Sequence, residues 1–326
     1  MNQTSDSHTP SPPSISCNSD QRLLTVLINW HEQAQTILCL RNLRAQAVPG
    51  MELLVVDNEG TMETQAAFER EQDLFDRYHR VEDNIGFTGA CNFALDQAHE
   101  LGFRYILWFN NDAEPGPKCI ARMLDVIESD SAIAMVSPVL RDRERGHAHF
   151  CGARLDGSRP PMRYSSFEAL TETGTDLDYY LLGTALMART EAAKRVGGFC
   201  SKYFIYWEDM ELSDKLLKAG LHCRMVPDAS VVHTNQHADE KDTVRSKYYY
   251  YYHSRNAIDF WWKATSGINR VRALYWHWHR TRWQIGQLKR HGRRTEAEAL
   301  RQGFIDGILG RYGRWRLHPA KKFVRG

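Results

Sequence analysis

Hydrophobic positions in this chain alternate between short continuous runs and longer stretches with helical spacing. Apolar runs at residues 23–28, 51–56 and 104–109 are typical of strands buried on both faces. Helical spacing is found at 33–46, and further helices are predicted at about 62–78 and 88–101. The alternation of strand and helix predicts a mostly parallel α/β sheet with right-handed crossovers.

The pattern becomes less regular in the middle of the chain and changes again after His233. A short strand is predicted near 78–81, whereas 137–180, with scattered Gly, Pro and Arg, predicts short strands and loops. Residues 181–188 are apolar, and 189–196 have helical spacing before a pair of glycines. Beyond His233 the chain is first polar, then aromatic and finally basic.

Polar side chains follow the predicted strands at the points where they end. Asn29, Asp57 and the run 110–112 all occupy such positions. Ligands of open α/β sheets bind outside the carboxyl ends of the strands, so these residues predict a shared crevice. For Asp57 the sequence favours equally a contact with a nucleotide base or ribose and an Asx turn that ends the strand.

A loop with two glycines, residues 84–92, precedes the third predicted helix. Its sequence is Asn-Ile-Gly-Phe-Thr-Gly-Ala-Cys-Asn. Glycines allow the backbone to approach a bound nucleotide, and a helix N-terminus favours negative charge. Ordinary turn chemistry explains the same pattern, so the loop alone is a weak signal.

Oxygen-bearing side chains at Asn110, Asn111 and Asp112 suit a hard divalent ion that bridges diphosphate oxygens. One carboxylate does not make a strong metal site, so a polar loop that caps the strand is the alternative. His233 closes a second apolar run, and it becomes a candidate ligand only if it lies beside Asp112.

Two adjacent carboxylates, Glu208 and Asp209, follow the aromatic residues Tyr206 and Trp207 and open a predicted helix. Aromatic walls exclude water, and a carboxylate in such a pocket can act as a base. Acidic residues are also common in the first turn of any helix. The local pattern leaves these two interpretations equally supported.

Composition divides the chain into an acidic body and a basic tail. The net charge is +2, but residues 263–326 contain 16 Lys+Arg against 3 Asp+Glu, which leaves 26 against 37 in the remainder. Seven unpatterned cysteines predict reduced thiols. Residues 1–21 are rich in Ser and Pro, which predicts a disordered segment. They have no apolar core of the kind found in a signal peptide. No apolar run reaches the ~20 residues of a membrane span.

Taken in order, these segments resemble the family 2 glycosyltransferases, and in particular the bacterial rhamnosyltransferase-like branch. The resemblance covers about residues 23–260, and it implies a GT-A fold: a Rossmann-like, mixed and mostly parallel sheet flanked by helices. We therefore expect three regions: a disordered segment (1–21), a GT-A domain (22–260) and a basic helical region rich in Trp and Arg (261–326).

The resemblance also implies roles for individual residues. Asp209 corresponds to the general base of the family's "ED" motif, and Glu208 is its catalytic neighbour, with binding of an acceptor hydroxyl as the alternative role. Trp207 corresponds to the acceptor side. Asp112, in place of the family's DXD motif, and His233 are the expected metal ligands, although Asn110 replaces the first acid of that motif. The expected nucleotide-sugar contacts are Asn29, Asp57, Asn84, Gly86, Gly89, Asn92, Asn111 and Arg255.

The activity implied is inverting transfer of a sugar, dependent on Mg²⁺ or Mn²⁺, from a nucleoside-diphosphate sugar to a glycan or polyprenyl-diphosphate-linked acceptor in cell-surface polysaccharide synthesis. dTDP-L-rhamnose is the favoured donor, with galactosyl, galactofuranosyl and glucosyl transfer as alternatives. A non-catalytic nucleotide-sugar-binding scaffold is the alternative of a different class. Donor, acceptor, linkage and oligomeric state are not determined by the sequence.

We expect a cytoplasmic protein. Its basic tail favours peripheral contact with an anionic membrane surface, which would be the inner face of the cell membrane. A helical pair packed on the acidic body and an oligomerisation arm are the alternatives. Nucleic-acid binding would also suit basic and aromatic residues, but no recognised motif supports it.

Overall fold

The computed structural model describes residues 22–143, 146–155, 162–173, 177–233 and 245–315. The predicted disorder of residues 1–21 lies outside these residues. The strands are β1 Leu23–Asn29, β2 Met51–Asn58, β3 Arg77–Val81, β4 Tyr105–Phe109, β5 Ala113–Pro115, β6 Ile133–Arg141, β7 Ala148–Phe150, β8 Ala153–Leu155, β9 Met162–Tyr164, β10 Ala185–Arg189 and β11 His222–His233.

Helices alternate with these strands in the first half of the chain and follow one another in the last quarter. They are α1 Gln33–Arg44, α2 Met62–Glu69, α3 Gly86–Glu100, α4 Cys119–Ser129, α5 Phe167–Thr173, α6 Thr190–Arg195, α7 Glu208–Lys218, α8 Lys247–Ala264, α9 Gly267–Arg290 and α10 Arg294–Ile308. None of the described helices is both long and apolar enough to cross a bilayer.

The described strands form one mixed sheet of nine strands and one small hairpin of β8 and β9. The order in the large sheet is β3-β2-β1-β4-β10-β6-β11-β5, with β7 paired to β6. Strands β1, β2, β3, β4, β6 and β11 run in one direction, and β5, β7 and β10 run in the other. The predicted mixed, mostly parallel sheet is confirmed.

Burial explains why the first strands were recognisable from the sequence. The side chains of β2 and β4 are almost all buried, because helices cover both faces of the sheet. The register places Asn29 at the end of β1 directly opposite Asp57 on β2, and Leu27 opposite Phe109 on β4. The polar residues that follow these strands therefore share one edge of the sheet.

Two predicted elements differ from the structure. The helix predicted at 62–78 ends at Glu69 and is followed by a short 3₁₀ turn at Gln72–Leu74. The region 137–180 does contain short strands, but it begins inside β6, a nine-residue strand that is almost wholly buried. Pro138 obscured this strand, because proline donates no ladder hydrogen bond and is rare inside sheets. The register shift of β11 beside Pro138 accommodates it.

Candidate active site

The carboxyl edge of β1 and β2 carries a buried network centred on Asp57. Its carboxylate accepts hydrogen bonds from Asn29 Nδ2 (2.7 Å), Thr64 Oγ1 (2.9 Å) and the Tyr78 hydroxyl (2.8 Å). Asn29 is held in turn by the Thr36 hydroxyl, which donates to its Oδ1 at 2.8 Å. A carboxylate has about four lone-pair sites. The three protein donors therefore fix Asp57 and leave capacity for one further donor.

The loop before α3 is shaped by Asn58, a residue that the sequence patterns did not single out. Its Oδ1 accepts from the backbone N–H of Ile85 at 3.0 Å, and its Nδ2 faces Asn84 Oδ1 and the Gly86 carbonyl at 3.3 Å each. Asn84 Oδ1 also accepts from the N–H of Gly86 at 2.8 Å. The only sequence signal for Asn58 was its place beside Asp57 at the strand end.

Gly86 requires the absence of a side chain for two reasons. Its φ is +80°, a left-handed conformation that L residues rarely adopt, and a Cβ there would lie 2.6 Å from Phe204. Gly89 follows in the first turn of α3, where a Cβ would meet Ile85 at 3.1 Å. Asn92 lies one turn further along, and its amide bonds both the N–H and the carbonyl of Phe199. Asn92 therefore ties α3 to the chain before α7.

Asp112 and His233 meet although they are far apart in sequence. β11 pairs with β5 so that His233 lies opposite Ala113, and its Nε2 lies 3.0 Å from Asp112 Oδ1. Asn111 turns away and donates from Nδ2 to the Thr36 hydroxyl at 2.9 Å. The buried Nδ1 of His233 makes no hydrogen bond to any described residue.

These residues fit a divalent ion that takes most of its ligands from elsewhere. In the described ranges, no cluster of three or more His, Cys, Asp or Glu side chains is arranged to hold a metal. One carboxylate and one imidazole are nevertheless a suitable protein contribution for Mg²⁺ or Mn²⁺, which are commonly bound by few side chains together with substrate phosphates and water.

Asp209 and Glu208 open α7 and are both about nine-tenths buried. Asp209 Oδ2 accepts from the backbone N–H of Gly183 at 2.8 Å, and Oδ1 from that of Met210 at 2.7 Å. Glu208 Oε2, in contrast, is buried without a hydrogen-bond partner among the described residues. The surroundings of Asp209, with a donor on each carboxylate oxygen, therefore accommodate a negative charge better than those of Glu208.

The pKa shifts of the two carboxylates differ in the same sense as their hydrogen bonds. Burial raises the pKa of Asp209, and the hydrogen bonds from Gly183 and Met210 oppose this effect. Burial, and after it the nearby Asp209, raises the pKa of Glu208 well above its ordinary value. Because the two carboxylates repel each other when both are ionised, the pair tends to keep one proton. The partnerless Oε2 of Glu208 and the larger rise of its pKa favour Glu208 as the residue that keeps this proton.

The chain that leads into α7 is strained. Phe204, Tyr206 and Trp207 have φ of +67°, +70° and +74°, a region that costs L residues of order 1 kcal/mol each. The amide of Asn256 on α8 holds this segment: its Nδ2 lies within 3.1 Å of the carbonyl oxygens of Tyr203, Ile205 and Tyr206. Asn256 is fully buried.

Arg255 differs from its expected role at the diphosphate. Its guanidinium is buried and donates to the carbonyl oxygens of Tyr203 (2.8 Å), Lys202 (3.2 Å) and Gly313 (2.6 Å), and its Nε donates to Asn256 Oδ1. Four of its five N–H donors are thus directed at the chain around it rather than at the strand ends.

Trp207 forms a wall beside the two carboxylates. Its Nε1 donates to the His253 carbonyl at 3.1 Å, and its ring packs on Phe260 and His253 with centroid distances of 4.8 and 5.1 Å. Tyr164 on β9 lies within electrostatic reach of Asp209. Tyr164 was not predicted, because its segment showed no pattern that relates it to α7.

Comparison with known proteins adds the following similarities. The family model described as glycosyl transferase family 2 matches residues 25–195. The N-acetylglucosaminyl-diphospho-decaprenol L-rhamnosyltransferase of Mycobacterium tuberculosis, from strains CDC 1551 / Oshkosh and ATCC 25618 / H37Rv, is 28% identical in an alignment of 213 residues. The alignment covers 58% of this chain and 68% of the relative.

Solved structures with the same architecture have low sequence identity. The mannosyltransferase PcManGT from Pyrobaculum calidifontis, in complex with GDP-Man and Mn²⁺, gives a TM-score of 0.59 at 15% identity, over 92% of this chain and 91% of that one. TarS of S. aureus gives 0.54 at 14%, over 91% and 94%. GalNAc-T7 with UDP, GalNAc and Mn²⁺ gives 0.51 at 16%, over 65% of this chain and 44% of its own.

Proposed function

This chain belongs to glycosyl transferase family 2 and has the GT-A fold, and we propose that it transfers L-rhamnose from dTDP-L-rhamnose to a polyprenyl-diphosphate-linked glycan. The similarity to a rhamnosyltransferase named for a diphospho-decaprenol acceptor supports this choice of donor sugar and acceptor. Such an acceptor is presented at a membrane surface in cell-envelope polysaccharide synthesis.

The observation that carries the mechanism is the pair of backbone hydrogen bonds on Asp209. In the proposed inverting reaction, Asp209 removes the proton of the acceptor hydroxyl, whose oxygen attacks the anomeric carbon opposite the leaving diphosphate. The N–H groups of Gly183 and Met210 keep the carboxylate ionised and oriented, and burial makes it a stronger base than an exposed Asp. Glu208 remains protonated beside it.

On the donor side, the proposed binding surface is the carboxyl edge of the sheet. Asp57, oriented by Asn29, has one acceptor site left for a base N–H. The loop containing Asn84, Gly86 and Gly89 borders the same edge. Asn92 and Asn111 act there as supports, because their amides are engaged by the protein.

Asp112 and His233 are the proposed metal-holding residues, and Mn²⁺ in the structures of two similar folds supports a divalent ion. When bound, such an ion acts as a Lewis acid that neutralises charge on the leaving diphosphate. The protein contributes the orientation of both side chains, since pairing of β11 with β5 places them side by side.

A panel of nucleotide sugars tests the proposed donor. The purified full chain is incubated with dTDP-rhamnose, UDP-galactose, UDP-galactofuranose and UDP-glucose and a short-chain polyprenyl-diphosphate N-acetylglucosamine, and the released nucleotide and the glycolipid are measured. Rhamnose transfer is expected. Transfer of another sugar would show that the proposed donor is wrong. Binding of a donor without transfer to any acceptor would favour a non-catalytic scaffold.

The base is tested by Asp209→Asn. Loss of a positioned general base lowers kcat by about 10²- to 10⁴-fold, whereas donor affinity measured by calorimetry is expected to change little. Asp214→Asn is the matched control, because Asp214 is also buried on α7 but bonds Tyr180 and Lys218 instead. Near-native turnover by Asp209→Asn, or an equal loss in the control, would exclude Asp209 as the base.

The metal ligands are tested by His233→Ala. Mn²⁺ affinity in the presence of dTDP, measured by electron paramagnetic resonance, is expected to fall by more than about tenfold, since even outer-shell partners of metal ligands contribute that much. His222→Ala is the control, because His222 lies at the other end of β11 beside Asp178. Unchanged Mn²⁺ affinity in His233→Ala would remove His233 from the site.

A further inference from the structure

Helix α9 has two faces of different character. Its inner face is buried through Ala273, His277, Thr281 and Leu288. The outer face carries large apolar side chains at helical spacing that are 38–62% exposed, namely Ile268, Val271, Tyr275 and Trp278. Positions three to four apart lie on one side of a helix, so these four form a continuous stripe opposite the packed face.

Helix α9 also carries positive charge that no acidic residue of the same helix balances. α9 contains six Lys and Arg residues and no Asp or Glu. Arg282 lies over the ring of Trp278 at 5.0 Å, and Arg270 over that of Trp262 at 4.5 Å. In the part of the chain that the structure describes, the arginines of α9 form no salt bridge with a carboxylate. Because Arg272 and Arg282 are exposed beside the stripe, the outer face is both apolar and cationic.

This combination fits an anionic lipid surface better than a second copy of the chain. Two such faces brought together by a two-fold axis would place like charges against each other. At a lipid interface, in contrast, Trp and Tyr rings enter the headgroup level while arginines contact phosphates. Each basic residue near an anionic surface contributes attraction, and the exposed Arg272 and Arg282 lie beside the apolar stripe.

Helix α9 also lies close to the proposed reaction site, which it approaches with the side opposite the stripe. His277 Nε2 on α9 lies 3.0 Å from the Ser254 carbonyl, next to His253, whose ring packs on Trp207. Burial, followed by Arg280 of α9, lowers the pKa of His253 well below its ordinary value, which reflects how near α9 lies to this wall. Tyr164 is within electrostatic reach of both Arg280 and Asp209.

We propose that the outer face of α9, formed by Ile268, Val271, Tyr275, Trp278, Arg272 and Arg282, docks the protein on an anionic membrane surface. The inference rests on the proposed function for its purpose, since a lipid-linked acceptor is anchored in such a surface. Docking then brings the wall around Trp207 close to the plane in which the acceptor diffuses.

Vesicle flotation of the full chain tests this surface. Binding is expected to vesicles of phosphatidylcholine with phosphatidylglycerol, to be weak with phosphatidylcholine alone, and to fall with added salt. Replacing Arg272→Gln and Arg282→Gln together is expected to lower the partition coefficient about thirtyfold. Tyr275→Ser with Trp278→Ser is the apolar counterpart and is expected to lower binding to both kinds of vesicle.

Matched controls carry substitutions at other exposed positions outside α9. Leu38→Ser with Ile308→Ser controls for lost apolar surface, and Lys118→Gln with Arg195→Gln for lost charge. Equal flotation of the α9 variants and the parent protein would overturn the inference. So would a shift to a dimer without lipid binding, or a preference for RNA over vesicles.

A second measurement separates this inference from the proposed function. Rhamnose transfer to a water-soluble acceptor analogue is expected to be the same in the parent and both α9 variants, which also demonstrates that the variants fold. If no donor and acceptor pair is turned over but flotation still depends on α9, the proposed function fails while the docking surface stands. If rhamnose is transferred but flotation does not depend on α9, the proposed function stands and the docking surface fails.

Discussion

Asp209 and Glu208 are adjacent in sequence, yet they are held by different parts of the fold. Asp209 is reached by the N–H of Gly183, a residue 26 positions earlier, while Glu208 Oε2 finds no donor in the described chain. Cys91 of α3 is close enough for Glu208 to affect its pKa, after burial. The proposed roles of base and protonated neighbour thus depend on which backbone donors each carboxylate meets.

The raised pKa of Glu208 predicts how stability changes with pH. A carboxyl group whose pKa is raised on folding contributes stability below its unfolded pKa of about 4.3, and this contribution is lost as the pH rises through the folded pKa. Glu208→Gln removes the titration, so its free energy of unfolding relative to the parent should increase from pH 4 upward. Urea unfolding at several pH values measures this difference. A constant difference would contradict a raised pKa.

At the scale of elements, the strained segment 202–207 shows how α8 supports the pocket. Three left-handed residues in this segment set the start of α7, and the amide of Asn256 faces three of its carbonyls. A buried carbonyl that loses its hydrogen-bond donor destabilises the folded state by ~1–3 kcal/mol. This is comparable to the strain of the left-handed residues in the segment. We infer that Asn256 positions Glu208 and Asp209 without contacting substrate.

Asn256→Ala is therefore expected to lower kcat more than tenfold with little change in KM for the donor, and to reduce the free energy of unfolding by ~1–3 kcal/mol. Steady-state kinetics and urea unfolding measure both. Ser254→Ala is the control, because Ser254 is equally buried on α8 and its hydroxyl has no partner among the described residues. A variant that loses stability but keeps kcat would limit Asn256 to folding.

At the scale of the whole molecule, the C-terminal helices are packed into the structure. α10 approaches α8 so closely that a Cβ on Gly303 would lie 2.2 Å from the Tyr251 carbonyl oxygen. Beyond α10, the N–H of Gly313 bonds the Lys202 carbonyl, and that of Trp315 bonds the Tyr252 hydroxyl at 2.7 Å. The strained segment before α7 is thus held by chain that lies far beyond the family match.

Truncation tests this dependence. A chain that ends at Ala264 retains every described strand and both carboxylates but loses α9, α10 and the Gly313 contact. We expect it to lose cooperative unfolding, measured by calorimetry, and sugar transfer to a water-soluble acceptor analogue. The full chain is the control. If the truncated protein retained activity, the division of the chain into a GT-A domain (22–260) and a separate helical region (261–326) would be supported.

The sequence predicted those parts of the structure that depend on local pattern. Strands β1, β2 and β4, their order with α1 and α3, and the polar residues at their ends were recognisable, because burial on both faces produces continuous apolar runs. The end of α2 and the strand β6 were not recognised. Helix termination and a proline inside a central strand depend on neighbours that periodicity does not record.

By itself, the sequence determined the fold class, the family resemblance, and the candidate chemistry at Asp57, Asp112, Asp209 and His233. Only the tertiary structure decided which of these groups meet and in what state. The pairing of β11 with β5 brings His233 to Asp112. Folding directs Arg255 to backbone carbonyls, gives both oxygens of Asp209 a donor and leaves Glu208 Oε2 without one among the described residues. Contacts between distant segments arise from packing, and the local order of residues does not encode them.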